Sequence, residues 1–253
     1  MCLIFVSVKN HPTYKLIVAA NRDEFYNRKT AAASFWEDLP SVLGGRDLEA
    51  GGTWLGVSRS GRVSMITNYR DPKNIDPAAP SRGHLVSEYL RSDSPPSAYL
   101  ENLQPNASRY NGFNLLVGNS EEMWYLSNYK NGIEKLNDGL HGLSNHLLNT
   151  PWPKVVRGKK QMLDVTSRKF TAQELFEVLY NDEIAPDDLL PDTGVGIERE
   201  RYLSSMFIKS PGYGTRCSSV ILINNDNEVF FAERVYDLAT FRFEEKSFMF
   251  KTT

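Results

Sequence analysis

Cys2 stands directly after the initiator methionine, at the head of the apolar run Cys2-Leu3-Ile4-Phe5-Val6-Ser7-Val8. Cysteine is small enough for an aminopeptidase to remove Met1, which would leave a thiol and a free α-amino group on one residue. Such an amine titrates near pH ~8, so an appreciable fraction is neutral and basic near neutrality. A chain headed this way carries a nucleophile and its own general base together. Acyl transfer then needs polar groups that hold thiol and amine in place, and donors aimed at the oxyanion that develops on the attacked carbonyl. Without such partners, Cys2 reads as a small hydrophobe opening a strand.

The elements that must position these parts follow from pattern and punctuation. Cys2–Val8 and residues 14–20 flank the breaker-rich Lys9-Asn10-His11-Pro12-Thr13 and read as an antiparallel hairpin. Its return strand ends at Asn21-Arg22-Asp23-Glu24, beside the chain terminus. There the Asp23 carboxylate would accept from the Cys2 amine, and the Arg22 charge would favour the thiolate. The alternative for this tetrapeptide is a solvated turn with a local salt bridge. Residues 25–52 read mostly as loop, punctuated by Gly44-Gly45 and Gly51-Gly52. These glycines lack a strand–glycine–helix phosphate context and are expected to bend the loop at the mouth of the site. Residues 54–58 and 62–68 form a second hairpin, with Trp54 placed to line a substrate pocket.

Helices are predicted over 82–91 with Ser81 as cap, over Pro96–Leu103, over 152–165, after the capping box Thr171-Ala172-Gln173-Glu174, and over 198–207. Phe113–Gly118 with Met123–Ser127, residues 140–144, 215–223 with 228–234, and 240–250 read as strands. Long runs of one element type favour α+β with antiparallel sheets over βαβ units.

Composition narrows the function classes. The 253 residues suit one domain spanning 1–253. With 29 basic against 31 acidic residues, the net charge of −2 gives no pull toward nucleic acid or an anionic membrane surface. No apolar run approaches the ~20 residues that span a bilayer, so no stable membrane insertion is expected. No basic segment precedes Cys2–Val8 and no small-residue cleavage site follows it, so a cytoplasmic location is expected. Cys2 and Cys217 lie far apart, and with His11, His84, His141 and His146 they form no metal-ligand spacing. A disulfide between the cysteines is disfavoured in a reducing compartment. No metal and no cofactor are expected; the expected partner is a small-molecule amide or acyl substrate. The aromatic C-terminal strand, with Phe241, Phe243, Phe248 and Phe250, either covers the core or pairs across a homo-oligomer.

Several motifs occur in fixed order: Met1-Cys2, Asn21-Arg22-Asp23-Glu24, Gly44-Gly45-Arg46-Asp47, Gly51-Gly52-Thr53-Trp54-Leu55-Gly56, Thr67-Asn68-Tyr69-Arg70 and Gly142-Leu143-Ser144-Asn145. Together they resemble the NRDE family, which includes the eukaryotic transport and Golgi organisation proteins. That family is similar to N-terminal nucleophile amidases of the choloylglycine hydrolase and penicillin V acylase type. The resemblance implies an α+β fold, a four-layer αββα sandwich of two mostly antiparallel sheets. It also implies roles. Cys2 matches the nucleophile, and Asp23 the aspartate that contacts it. Asn145 matches a side-chain oxyanion donor, and a backbone N–H near Asn68 and Tyr69 the second donor. Arg216, in Gly214-Thr215-Arg216-Cys217-Ser218-Ser219, matches a late active-site arginine. An amide N–H₂ suits the oxyanion role because it brings no charge that must be desolvated.

One position departs from the amidases. Their arginine three residues before the aspartate is Ala20 here, and Arg22, adjacent to Asp23, would point to the other face of an extended strand. Asn21, Trp54 and Arg46 complete the substrate-side candidates. The implied activity is cleavage of a linear amide C–N bond through a thioester. The alternative is a non-catalytic carrier of haem or acyl-CoA on the same sandwich, with Arg22, Arg46 or Arg70 meeting anionic groups. For that carrier the chain has no Cys-x-x-Cys-His attachment motif.

Overall fold

A computed structural model describes residues 2–253. The elements follow in chain order as β1 (Cys2–Val8), β2 (Tyr14–Phe25), β3 (Thr30–Phe35), β4 (Val42–Asp47), β5 (Leu55–Ser58) and β6 (Val63–Asn68). Helices α1 (Gly83–Arg91) and α2 (Pro96–Leu103) precede β7 (Phe113–Gly118), β8 (Met123–Ser127), β9 (Ile133–Lys135) and β10 (Gly139–Leu143). Then come α3 (Pro153–Thr166), α4 (Ala172–Leu179), α5 (Ile197–Leu203), the two-residue β11 (Lys209–Ser210), β12 (Tyr213–Asn224), β13 (Glu228–Tyr236) and β14 (Phe243–Lys251).

The strands form two sheets. One runs β10-β1-β2-β12-β13-β14 with β11 alongside β12; the other runs β3 to β9 in sequence order. The ladders are antiparallel. Helices α1 and α2 cover the second sheet, while α3 and α4 cover the first, which makes the αββα sandwich of an α+β protein. Strand β1 shows why its residues are apolar throughout. Ile4, Val6 and Val8 pack between the sheets, and the alternate Leu3 and Phe5 pack beneath α3 and α4.

Three local expectations change. First, β2 runs past residue 20 to Phe25, so Asn21–Glu24 lies inside the strand, where the distant β12 pairs with it. Second, residues 25–52 contain β3 and β4, whose alanines and glycines carry little strand propensity and are held by pairing to each other and to β5. Third, α1 starts one residue later than expected, at Gly83, while Ser81 Oγ accepts from Gly83 N at 3.4 Å. The capping box of α4 forms as predicted, with Thr171 and Glu174 exchanging both bonds. Gly52 has φ +71°, and a Cβ there would lie 2.6 Å from the Gly83 carbonyl, so only glycine lets this loop close against the start of α1. Among the described residues no helix is long and apolar enough to cross a membrane.

Candidate active site

The first sheet brings three side chains into one row. Cys2 and Cys217 both lie directly opposite Arg22 on its two flanking strands, so β1, β2 and β12 present Cys2, Arg22 and Cys217 side by side toward the second sheet. All three line an open cleft of about 540 Å³ between the sheets. Two intervening strand spacings of ~4.8 Å separate the cysteines, beyond the ~7 Å Cα reach of a disulfide, and both thiols are free. The alternation that hid Arg22 from Asp23 thus turns Arg22 toward the nucleophile, on the same face as Ala20.

Burial raises the pKa of the Cys2 thiol, while the Arg22 charge and the Asp23 backbone N–H, which donates toward the sulfur, work against that rise. Cys217 is pushed well above the ordinary thiol value by burial and then by the Glu233 charge, which makes it the inert thiol of the pair. Glu233 accepts from Ala33 N at 2.6 Å and is itself raised by burial.

Asp23 faces the other way, into the layer beneath α3. Its Oδ1 accepts from Thr215 Oγ1 at 2.7 Å. Burial raises its pKa, opposed first by the charge of Lys154 and then by Thr215 and Arg22. Lys154, at the second position of α3, is 1% exposed and burial depresses its pKa to about 8. Next to it Arg70 Nη1 and Glu200 Oε2 form a buried ion pair at 2.7 Å, with Arg70 also 4.7 Å above the Trp152 ring. The Tyr213 hydroxyl is buried in the same compartment and raised well above its usual value by burial and by Asp23. Sequence reading missed Lys154, Glu200 and Tyr213.

Of the oxyanion candidates, Asn68 lines the cleft with Cys2. Strand β10 pairs with β1 as far as Ile4↔Leu143, and Asn145 lies in the bend that follows, outside the residues that line the cleft. Asn145 is fully buried, and its Nδ2 donates to Asn68 O at 3.0 Å while Arg70 N donates to Asn145 O at 2.7 Å. Between Asn68 and Tyr69 the structure discriminates. Tyr69 N donates to Gly112 O at 2.9 Å, its ring stacks on Tyr129, and it does not line the cleft. Antiparallel alternation then directs the Asn68 N–H away from β7, on the side where β5 has already ended.

The remaining candidates divide. Arg216 is the extra residue of a bulge between Thr215 and Cys217, which throws its guanidinium into the cleft, where it donates to Phe25 O and Arg28 O at 2.8 and 3.0 Å. Trp54 and Arg46 line the cleft, Arg46 while ion-paired to Asp38 at 2.7 Å and lying over Trp36. Asn21 does not belong there. It points beneath the helices, donates to Leu179 O and Met206 O, and accepts from Ser218 Oγ at 2.6 Å. That is a staple between sheet and helix layer, leaving no group for a substrate. Among the described residues no cluster of three or more His, Cys, Asp or Glu is arranged to hold a metal.

This fold is shared with N-terminal nucleophile hydrolases. A C2A mutant of conjugated bile acid hydrolase from Clostridium perfringens superposes with a TM-score of 0.53 at 10% identity, covering 100% of this chain and 98% of that one. The Caenorhabditis elegans ortholog of N-acylethanolamine-hydrolyzing acid amidase gives 0.52 at 10% identity, covering 87% and 92%. The family is set by sequence. The chain belongs to the Transport and Golgi organisation 2 family, whose family model matches residues 1–238. It is 38% identical to the Bos taurus Transport and Golgi organization protein 2 homolog and 36% identical to the Homo sapiens one, over 92% of each chain in both cases.

Proposed function

We propose that this protein is an N-terminal cysteine hydrolase that cleaves a linear amide after removal of Met1. The observation that carries the reading is the setting of Cys2. It lies beside Arg22 in a cleft that Asn68, Trp54, Arg46 and Arg216 also line.

The steps follow from these groups. The neutral Cys2 amine takes the thiol proton, and the sulfur attacks the amide carbonyl, forming the C–S bond. The oxyanion receives hydrogen bonds from Asn145 Nδ2 and the Asn68 N–H. Collapse breaks the C–N bond, and the Cys2 ammonium gives its proton to the leaving nitrogen. The amine then takes a proton from water, whose hydroxide cleaves the thioester and frees the acid. Burial keeps the resting sulfur as thiol, so the nucleophile forms only when the amine accepts its proton. Arg22 steadies the thiolate, and Arg216, Trp54 and Arg46 shape the cleft that receives the acyl chain or leaving group. The same reading takes residues 1–253 as one domain working in the cytoplasm.

A haem carrier fits these residues less well. None of the four histidines lines the cleft, and burial raises the pKa of both thiols that do. The test is a panel of acyl amides incubated with the processed protein and with Cys2→Ala. Turnover and a hydroxylamine-sensitive acyl adduct on Cys2 are expected for the wild type and neither for the variant. Full turnover by Cys2→Ala would remove the reading.

A further inference from the structure

The start of α3 is built against the usual electrostatics of a helix. A helix N-terminus carries orphan N–H groups and partial positive charge, which a capping side chain or an acidic residue normally meets. At α3 the cap position is Trp152, no side chain caps it, no acidic residue stands in the first turn, and the second position is a lysine. That lysine is 1% exposed. A small cavity of about 10 Å³ lies at this helix end, walled in part by Trp152, Pro153 and Lys154, by Arg70 from the segment after β6, and by Glu200 of α5.

Hydrogen-bond donors are in excess around it. Lys154 Nζ and Arg70 Nε and Nη2 are buried and have no hydrogen-bond partner among the described residues. Glu200 is the carboxylate in the wall, and both its oxygens are engaged. Its Oε2 accepts from Arg70 Nη1 at 2.7 Å, and its Oε1 accepts from Thr193 N at 2.9 Å and from Thr193 Oγ1. Asp23 acts on the Lys154 charge from β2 but is not part of this wall. Two cations and a bare helix end thus face one carboxylate, and buried cations in such an excess are destabilising. The volume selects what would balance them. About 10 Å³ admits one particle of water size, which excludes sulfate, phosphate and carboxylates. A water has lone pairs for only part of these donors and brings no charge. A monatomic anion accepts from all of them and supplies the missing negative charge.

We propose that this cavity binds a single chloride ion, held by Lys154 Nζ, the Nε–Nη2 edge of the Arg70 guanidinium and the N-terminus of α3. Arg70 N donates to Asn145 O at 2.7 Å, so the ion also steadies the bend that carries Asn145. In chloride-free solution burial sets Lys154 at about 8; the bound anion favours the ammonium and raises that value. The proposal does not depend on the hydrolase reading, since neither cation takes part in those steps.

The test uses the full chain in two measurements. In crystals soaked with bromide, which replaces chloride and scatters anomalously, one peak should lie within hydrogen-bonding reach of Lys154 Nζ and Arg70 Nη2. In solution, thermal unfolding is followed while chloride replaces gluconate, an anion too large for the cavity, at constant ionic strength. The midpoint should rise with the logarithm of chloride concentration, as for a ligand bound by the folded state alone. Lys154→Met should abolish that rise. An ordered water at the site with no anomalous peak would overturn the proposal. So would a peak at soaking concentration without any dependence of the midpoint on chloride, or a rise that persists unchanged in Lys154→Met. Should that variant not fold, the two wild-type measurements decide.

Discussion

Strand β2 presents two polar surfaces under different rules. On its cleft side Arg22 stands between two thiols, and its Nη2 reaches Glu24 only at 3.6 Å, in a space open to water. On its helix side Asn21 and Asp23 meet Ser218, Thr215 and, beyond them, Lys154, in a layer closed to water. Charges on the first surface are partly screened and can be rearranged by a ligand. On the second, each polar atom needs a fixed partner, and removing one strands another. Cys2 belongs to both. Its sulfur faces the cleft, while its amine, once exposed, lies at the strand end that Asp23 approaches. On the proposed hydrolase reading, the comparison teaches that reactivity would be set from behind, by a dry electrostatic layer, and specificity from in front.

The largest effect that would break this division is at the sulfur. Cys2→Ala should abolish turnover and alkylation by iodoacetamide, whereas Cys217, raised by burial and Glu233, should remain unmodified in the native protein; peptide mapping after alkylation distinguishes them. Next comes the oxyanion pair. Asn145→Ala should lower kcat by about 10²–10³ with a smaller change in KM, as for loss of one preorganised donor. Tyr69→Phe, whose ring lies against Tyr129 outside the cleft, should leave both parameters close to wild type.

The dry layer is sharpened by stability. Arg70→Met leaves Glu200 buried without its partner and should cost about 3–5 kcal/mol in denaturant unfolding. The exposed Arg46–Asp38 pair should lose no more than about 1 kcal/mol in Asp38→Ala. A slope with pH accompanies them. Lys154 titrates at about 8 in the folded chain and near ~10.4 unfolded. Between those values the unfolded chain binds more protons, so this group makes stability rise with pH and lose that contribution as pH falls toward 8. Lys154→Met should flatten that part of the unfolding profile.

Much of this was legible in the sequence where the signal is local. The first hairpin, the α2 start at Pro96, the Thr171 capping box and the element order that yields an α+β sandwich all rest on short-range pattern. The extension of β2 through Asp23 was not, because its partner β12 lies almost two hundred residues away, as the Thr215–Asp23 bond shows. Asn21 sits in the same motif as Arg22, but period-two alternation along β2 sends it beneath the helices, where it meets Leu179, Met206 and Ser218. The choice of Asn68 over Tyr69 needs the ladder register, which composition does not carry. Lys154 had a usable signal. It repeats at four-residue steps with Gly158 and Met162, so helical periodicity alone puts it on the buried face. The neighbouring Lys159 and Lys160 made it resemble part of a solvated stripe.

The central claim is that Cys2 heads the mature chain as a nucleophile with its own base. Intact-mass spectrometry of untagged protein, expressed from its own start codon, tests it most directly. The account predicts a mass short by one methionine, leaving a free amine on Cys2. A mass that retains Met1 would block that amine and contradict the mechanism.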